Sequence, residues 1–523
     1  MSRLRTADAA FVAVLVAVAG LAALAFIVDH PSLDRFPDTP NYEAIADHLP
    51  GSFISSERLP GYPLVIAIAS TLPGGRNLNL LLLQSLMTVG SVVLTYFIGR
   101  AALGHRWMAF GCALLVATDL LMAGFARVEM SEVQAVLLTT AVAAAFAAYL
   151  QRPVARRLVV ATALALALLL TRPEWVLLTV MLLPYVLVVL WRRGLLDRRL
   201  FAQAAAAVAS VLLCVGAYSV ANQAVNGYFG LTSVLNVALM GKVMVYRMEG
   251  DAPAPYDRYT PLVASVGPGP GPWPLTKIPP FDDRNHVLEG QFARAVITHR
   301  PIEFARHVLG TLVDSPTDYN AVFIRIGPDG GWLREQLRNW LHVSEARYAA
   351  FVLLLPFALA WAILGLVARP QNTRAQIMGV LAVIALYASL TAAATTFDEF
   401  GRVHMPINPI STVLVFGTLL LNVRSLVSRP AGVALLAVAA LVAELAAIYI
   451  LPGRSASVMF PSLLVILLLQ FIASGARLTA GLAQGSVDRP GGKRLGGDVD
   501  EGQRERRSEP GHAAAKEAAE RRA

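Results

Sequence analysis

The sequence predicts an all-α polytopic membrane protein with about twelve transmembrane helices and a long outward loop that contains helices. Three observations lead to this prediction. Of the 523 residues, 56% are hydrophobic and only 15% are charged, whereas a soluble domain has about 25% charged residues. The mean hydropathy is +0.57. Apolar runs near 20 residues recur along the chain, and each could cross about 30 Å of hydrocarbon.

The apolar runs give the predicted helices in order. The first run follows a basic start and is longer than the core of a signal peptide, so we expect a retained helix. Cys112 and Cys214 fall inside separate runs as packing residues, so no disulfide is expected. The predicted helices cover residues 9–28, 78–99, 107–126, 132–150, 157–171, 174–191, 200–220, 348–368, 375–395, 409–423, 431–451 and 456–475.

The distribution of arginine between short loops predicts the orientation. Alternate loops contain two or more arginines each, as in Arg192-Arg193. The turns on the other side contain one each: Arg127, Arg172, Arg402 and Arg454. Because basic loops stay in the cytoplasm, we expect both termini inside. The formal charge of +9 then reflects membrane orientation and does not indicate a nucleic-acid partner.

The chain divides into four predicted segments. Residues 1–221 form an N-terminal transmembrane module whose first outer loop is 29–77. Residues 222–346 form a long outer loop, 347–475 the C-terminal helices, and 476–523 a disordered cytoplasmic tail. Outer loops of this length are usually functional or disordered. The long loop has helical periodicity broken at Pro301.

The outer loops concentrate acidic residues. A carboxylate at the mouth of a helix bundle is a functional candidate, since burial of its charge is costly. For Asp29, Asp34 and Asp47 we expect solvated loop acids. The remaining candidates are Asp38, Glu43, Glu57, Glu129 and Glu132. Asp38 stands in a Pro-flanked turn, which limits its backbone freedom.

The strings "PDTPNYEAIADHLPG" and "ERLPGYPLVIAIAS" set Asp38 apart. With "EMSE", "LLLTRPEW", "NGYFGLTSVLNVAL" and "GRVHMPINP" farther along, the sequence resembles GT-C glycosyltransferases of the protein O-mannosyltransferase and aminoarabinose-transferase type, over about residues 1–425. The pattern in the first loop comprises Asp38, Tyr42, Ala46, Arg58, Pro60, Gly61, Tyr62 and Pro63. The chain departs from it at Thr39, where relatives often have an acid, and at Val403-His404, where they often have Tyr.

The resemblance implies transfer of a sugar from a polyprenyl-phosphate donor to an envelope glycan, lipid or protein, at the outer face of a bacterial plasma membrane. The acceptor hydroxyl needs a base, for which Asp38 is the candidate. The departing phosphate needs fixed cations, for which Arg58, Arg402, Lys242 and Arg172 are candidates. These cations could instead contact anionic lipid headgroups. Tyr42, Tyr62, Glu129, Glu132 and His404 are the expected substrate-binding residues.

No cofactor or metal is expected. His299 and His307 lie eight residues apart, but Pro301 interrupts the helix between them, and the sequence has no HxxxH or CxxC spacing. It has no phosphate-binding Walker loop and no dinucleotide fingerprint. Two other classes remain: a lipid-linked oligosaccharide flippase or transporter, and a surface-polysaccharide polymerase. A carrier would show polar or broken helices near mid-membrane.

Overall fold

The computed structural model describes residues 6–269, 271–315, 324–327, 331–397 and 399–424. The predicted helices 431–451 and 456–475 and the predicted tail 476–523 lie outside the described residues. Within these ranges the protein consists of helices and loops. A single isolated β-bridge pairs Asp34 with Val128.

The first half of the described chain is built from ten α-helices, most of them apolar. They are α1 (Thr6–Asp29), α2 (Thr39–Asp47), α3 (Gly61–Thr71), α4 (Arg76–Leu103), α5 (Arg106–Ala117), α6 (Leu120–Phe125), α7 (Glu132–Gln151), α8 (Ala155–Thr171), α9 (Leu178–Arg192) and α10 (Arg198–Asn226).

The second half contributes eight more α-helices within the described residues. They are α11 (Val234–Val245), α12 (Thr260–Val266), α13 (Val287–His299), α14 (Pro301–Asp314), α15 (Trp332–Ala368), α16 (Thr373–Thr395), α17 (Phe400–His404) and α18 (Asn408–Arg424). The predicted break at Pro301 is present, because α13 ends and α14 begins there.

Eight helical stretches in the described residues are long and apolar enough to cross a membrane. They are Asp8–Asp29, Arg76–Leu103, Glu132–Gln151, Pro173–Arg192, Arg198–Asn226, Trp332–Ala368, Thr373–Thr395 and Phe400–Leu421. The protein is therefore an all-α, multi-pass membrane protein. The total of twelve spans stays a prediction.

Two predicted helices differ in the structure. The run 107–126 is divided between α5 and α6, because Asp119 caps α6 by accepting a hydrogen bond from the Leu121 amide at 3.0 Å. The helix predicted at 348–368 begins at Trp332 and continues unbroken for 37 residues as α15. Its polar first half has no apolar run, so hydropathy alone does not reveal it.

The apolar side chains form separate cores. The largest described core lies among α4, α5, α7, α8, α9, α10, α15, α16 and α18. A second core, which includes Met240, Phe281 and Phe292, lies among α11, α13 and the segments around them. The predicted long loop thus has packed helices with a hydrophobic core of their own, and these helices also contact the end of α16 through α11 and α14.

Candidate functional site

Several helix ends meet at one face of the helix bundle, which we call the site face. Four helices end at this face, namely α1, α6, α8 and α16, and three begin there, namely α4, α7 and α18. The connections between them are loop 30–60, turn 126–131, Arg172 and segment 396–407. Backbone hydrogen bonds fix loop and turn together: the Asp34 amide donates to Arg127 O at 2.8 Å, and the Glu129 amide to Asp34 O at 3.0 Å.

Asp38 lies at the N-terminal end of α2 with its carboxylate free of the helix. Thr39 and Pro40 begin the helix, and the Asp38 side chain makes no capping hydrogen bond. Its Oδ1 instead accepts from Arg58 Nη2 at 2.5 Å, and the carboxylate side chain keeps 23% of its surface exposed. The first loop therefore brings together the predicted base and the first predicted phosphate ligand.

Arg402 reaches the same carboxylate from the far end of the chain. Its Nη1 lies 3.7 Å from Asp38 Oδ2, and its Nε lies 3.5 Å from Glu132 Oε1. Its Nη2 pairs with Glu399 at 2.5 Å. Asp38 is thus placed between two guanidinium groups from opposite ends of the described chain.

Arg172 extends the network of ion pairs. It follows the last turn of α8, with Nη1 3.2 Å from Glu132 Oε1, and it also pairs with Glu174. Burial lowers the pKa of Arg172, but the fields of Glu174 and Glu132 outweigh this effect and raise it overall. The predicted residues Asp38, Arg58, Arg402, Glu132 and Arg172 therefore form one continuous cluster, which we call the Asp38 cluster.

Aromatic side chains support Arg58. Its guanidinium carbon lies 5.5 Å from the centroid of the Tyr42 ring, within the range of a cation–π contact. Tyr42 meets Tyr62 edge to face at 5.0 Å. Tyr62 is fully buried and donates its hydroxyl to Gln84 Oε1 at 2.9 Å. Tyr42 is consequently the aromatic side chain of this pair that faces Arg58, with Tyr62 packed behind it.

Gly61 allows the first loop to approach α8 closely. A Cβ atom at this position would lie 2.6 Å from the carbonyl oxygen of Leu170 and 2.7 Å from Thr171 Oγ1. Real side chains do not tolerate such contacts. The Gly61 carbonyl also accepts from Gln134 Nε2 at 3.2 Å. Glycine at this position therefore holds the segment after Arg58 against α7 and α8.

Glu129 belongs to a neighbouring network. Its carboxylate is buried and lies 3.6 Å from Arg76, which also pairs with Glu43 and Asp47. Burial raises the pKa of Glu129, although Arg76 opposes the shift. The structure thus places the predicted substrate residue Glu129 beside Arg76, while Glu132 joins the Asp38 cluster.

Lys242 and His404 are both buried, at 2% exposure each. The Lys242 ammonium on α11 lies 5.0 Å from the centroid of the ring of Tyr246, the residue that follows this helix. His404 Nε2 is 3.1 Å from Ser389 Oγ, and its ring stacks on Phe400. Gly241, next to Lys242, packs directly on the ring of Phe397 in the turn before α17, so α11 abuts the segment that carries Arg402.

The expectation that Asp29 and Asp34 are solvated is wrong. Arg127, only 1% exposed, pairs with Asp29 at 3.3 Å and with Asp34 at 3.1 Å. Asp29 also pairs with Arg334 at 2.8 Å. The sequence shows Arg127 as an ordinary turn arginine, because its partners lie more than ninety positions away. This buried cluster ties α1, the first loop and α15 together.

The described residues contain no group of three or more His, Cys, Asp or Glu side chains able to hold a metal ion. The acids of the Asp38 cluster are each paired with arginine.

No protein-family profile matches this sequence, and a comparison with curated proteins finds no match either. Among solved structures, the chain is similar to the archaeal oligosaccharyltransferase AglB from Archaeoglobus fulgidus, solved in complex with an inhibitory peptide and a dolichol-phosphate. The identity is 14% and the TM-score 0.40. The match covers 81% of this chain and 54% of that one, so the chain spans about half the length of AglB. A likeness this distant carries no functional conclusion.

Proposed function

We propose that the protein is a membrane glycosyltransferase, which moves a sugar from a polyprenyl-phosphate donor to an envelope glycan, lipid or protein, with Asp38 as the general base. The position of Asp38 supports this proposal. Its partly exposed carboxylate lies 2.5 Å from one guanidinium group and 3.7 Å from another. A proton acceptor beside two fixed cations is the arrangement that attack by a hydroxyl on a phosphate-linked sugar requires.

Arg58 is the first proposed phosphate ligand. Burial opposes its charge, but the fields of Tyr42 and Asp38 outweigh this effect and raise its pKa. Its Nε is buried and has no hydrogen-bond partner among the described residues. An unused guanidinium N–H group beside a bound one suits a phosphate oxygen, which accepts charge-assisted hydrogen bonds.

The ion pairs suggest an order of events. Two guanidinium groups hold the Asp38 carboxylate, through Arg58 Nη2 and Arg402 Nη1. A donor phosphate that takes over contacts with Arg58 and Arg402 weakens that hold on Asp38. The acceptor oxygen then attacks the anomeric carbon and its proton passes to Asp38. The bond from carbon to phosphate oxygen breaks, and its electron pair leaves with the polyprenyl phosphate.

The transferase hypothesis has a test in cells. Deletion of the gene should cause one polyprenyl-phosphate sugar to accumulate, and the same sugar should disappear from one envelope component, as measured by mass spectrometry of lipid extracts and envelope glycans. Wild-type protein should restore both pools, whereas Asp38→Asn should restore neither. Unchanged lipid-linked sugars and unchanged envelope glycans after deletion would contradict the proposal.

The carrier alternative gains one specific observation. The run 107–126 is broken between α5 and α6, and Asp119 at the break lies 3.4 Å from Asn408 Nδ2 at the start of α18. Broken helices with polar groups are typical of transporters. An assay of purified protein in detergent distinguishes the two functions. Detergent solution has no membrane-enclosed compartments, so a carrier has no transport to carry out there. Sugar transfer from lipid donor to acceptor in detergent supports the transferase and excludes a pure carrier.

We propose the orientation in which the site face points out of a bacterial plasma membrane, with both termini inside. The arginine-rich loops on the opposite side support it. An impermeant thiol reagent should label Pro40→Cys and Phe53→Cys in intact cells, and Val154→Cys and Leu195→Cys only after lysis. All four positions are exposed. The reverse labelling pattern would overturn the orientation.

A further inference from the structure

Helix α14 has a continuous apolar arc, and the described residues of the protein cover half of it. Phe304, Val308 and Leu312 pack on Tyr246 and on the last turns of α16. The other half of the arc, which we call the α14 strip, consists of Ile302, Ala305 and Leu309 and is exposed. Ile302 is 76% exposed and Leu309 59% exposed. Because a helix turns about 100° per residue, these three residues share one side.

The covered half of α14 packs against the end of α16. Val308 lies in one cluster with Ala392 and Ala393, in the last turn of the membrane span α16. Leu386 lies seven residues and Leu390 three residues before Ala393, so both share its side of α16. They remain exposed, at 43% and 37%. Lipid-facing side chains of a membrane span therefore continue toward the site face up to the place where α14 lies across it.

Arg306 borders the α14 strip on its polar side. It is exposed, and it makes no hydrogen bond or ion pair with the residues that the structure describes. Tyr246 binds the opposite flank of α14: its hydroxyl lies 2.7 Å from Thr311 Oγ1, and its ring stacks on His307 at 4.8 Å. Among the described residues, one flank of α14 thus faces protein, one is apolar and exposed, and an exposed arginine lies at the edge between the apolar and polar surfaces.

We propose that α14 lies in the headgroup layer of the leaflet on the site face, with the α14 strip against acyl chains and Arg306 on a lipid phosphate. An apolar side bordered by basic residues is the pattern of helices that lie in the membrane interface. Fourteen residues give α14 a length of about 21 Å, enough to cover the end of more than one span. This inference concerns a membrane-binding surface and does not depend on the transferase proposal.

The test uses the full-length protein, with Cys112 and Cys214 replaced, in nanodiscs of phosphatidylethanolamine and phosphatidylglycerol. A bimane fluorophore is attached at Ile302→Cys, Leu309→Cys or Gly310→Cys. Gly310 is the matched control, because it is exposed, has open space around its Cα and lies about 100° from Leu309 around the helix. Doxyl lipids with the label near the headgroup quench from the membrane, and iodide quenches from water.

We expect doxyl lipids to quench bimane at 302 and 309 several-fold more than at 310, with iodide giving the reverse order. Equal iodide quenching at all three positions would show that the α14 strip faces water and would overturn the proposal. Protection from both quenchers at 302 and 309 would show a protein partner in place of lipid and would overturn it as well. Arg306→Glu should reduce doxyl quenching at 302 and 309, because it replaces attraction to lipid phosphate by repulsion.

Discussion

Asp38→Asn separates catalysis from binding at the proposed site. The amide keeps the shape of the side chain but cannot accept the proton of the acceptor. Loss of a general base costs about 10²–10⁴-fold in rate, or roughly 3–5 kcal/mol of transition-state stabilisation. The Asp38 side chain is 23% exposed, so water can partly replace it. We therefore expect a loss of kcat near the lower end, about 10²–10³-fold.

The same substitution removes the carboxylate that occupies Arg58 and Arg402. A donor phosphate then no longer competes with a bound anion, so the KM for donor should stay equal or fall. A gain of about 1.4 kcal/mol would lower it tenfold. The assay is steady-state transfer from the polyprenyl-phosphate sugar identified in the deletion strain, with purified protein in detergent. A fall in kcat with no rise in KM supports a base whose carboxylate also competes with the donor.

Asp47→Asn is the control for this experiment. Asp47 lies in the same helix α2, its side chain is 55% exposed, and its pair with Arg76 is a surface ion pair of little energetic value. Asp34 does not serve as a control, because it is buried against Arg127. Wild-type kcat in Asp38→Asn, or a defect confined to KM, would refute the role of Asp38 as base. Wild-type turnover would also indicate an acceptor that is already an anion.

Three further predictions test the surroundings of Asp38. Arg58→Ala should strongly reduce activity with the donor in the transfer assay. Arg58→Lys should restore this activity only in part, since lysine lacks the bidentate fork of arginine. Full activity in the alanine variant would show that Arg58 is not part of the site. Gly61→Ala should lower the free energy of unfolding by about 1–3 kcal/mol through overpacking, and with it the melting temperature in detergent. Gly216→Ala should leave the melting temperature unchanged, because there is open space around Gly216. Arg127→Leu should lower the free energy of unfolding by about 3–5 kcal/mol, because it leaves buried acids unpaired. The double variant Arg127→Leu, Asp34→Leu should melt at a higher temperature than Arg127→Leu alone. Equal melting temperatures of Arg127→Leu and wild type would contradict this role.

Apolar runs were sufficient to predict the eight candidate membrane spans of the described residues, because a bilayer demands long uninterrupted hydrophobic segments. They failed where a helix begins in polar sequence, as at Trp332, and where one polar residue interrupts an apolar run. Asp119 in such a run could have been recognised as a helix cap, since Asp is a preferred capping residue. Hydropathy averaged over a window conceals a single cap.

The first loop was predictable as a collection of residues but not as a set of pairs. Asp38 and Arg58 lie within one loop, but their separation of 20 residues does not by itself predict the ion pair between them. The contact with Arg402 depends on how distant helices pack, and spacing alone cannot reveal it. The burial of Asp34 was missed for the same reason: its partner Arg127 lies in another turn. Charge that looks solvated in sequence can be neutralised by a residue far away in the chain.

The Asp38 cluster contains its own counterions. Three guanidinium groups, those of Arg58, Arg172 and Arg402, are already matched by the carboxylates of Asp38, Glu132, Glu174 and Glu399. A small soluble anion such as chloride or inorganic phosphate would therefore find no uncompensated positive charge among the described residues of this cluster. Only an anion anchored by additional interactions, for example by a long apolar chain in the bilayer, could displace a carboxylate from its arginine. Ion pairing within the Asp38 cluster would thus make it insensitive to the anions of the surrounding medium and accessible to those delivered through the membrane.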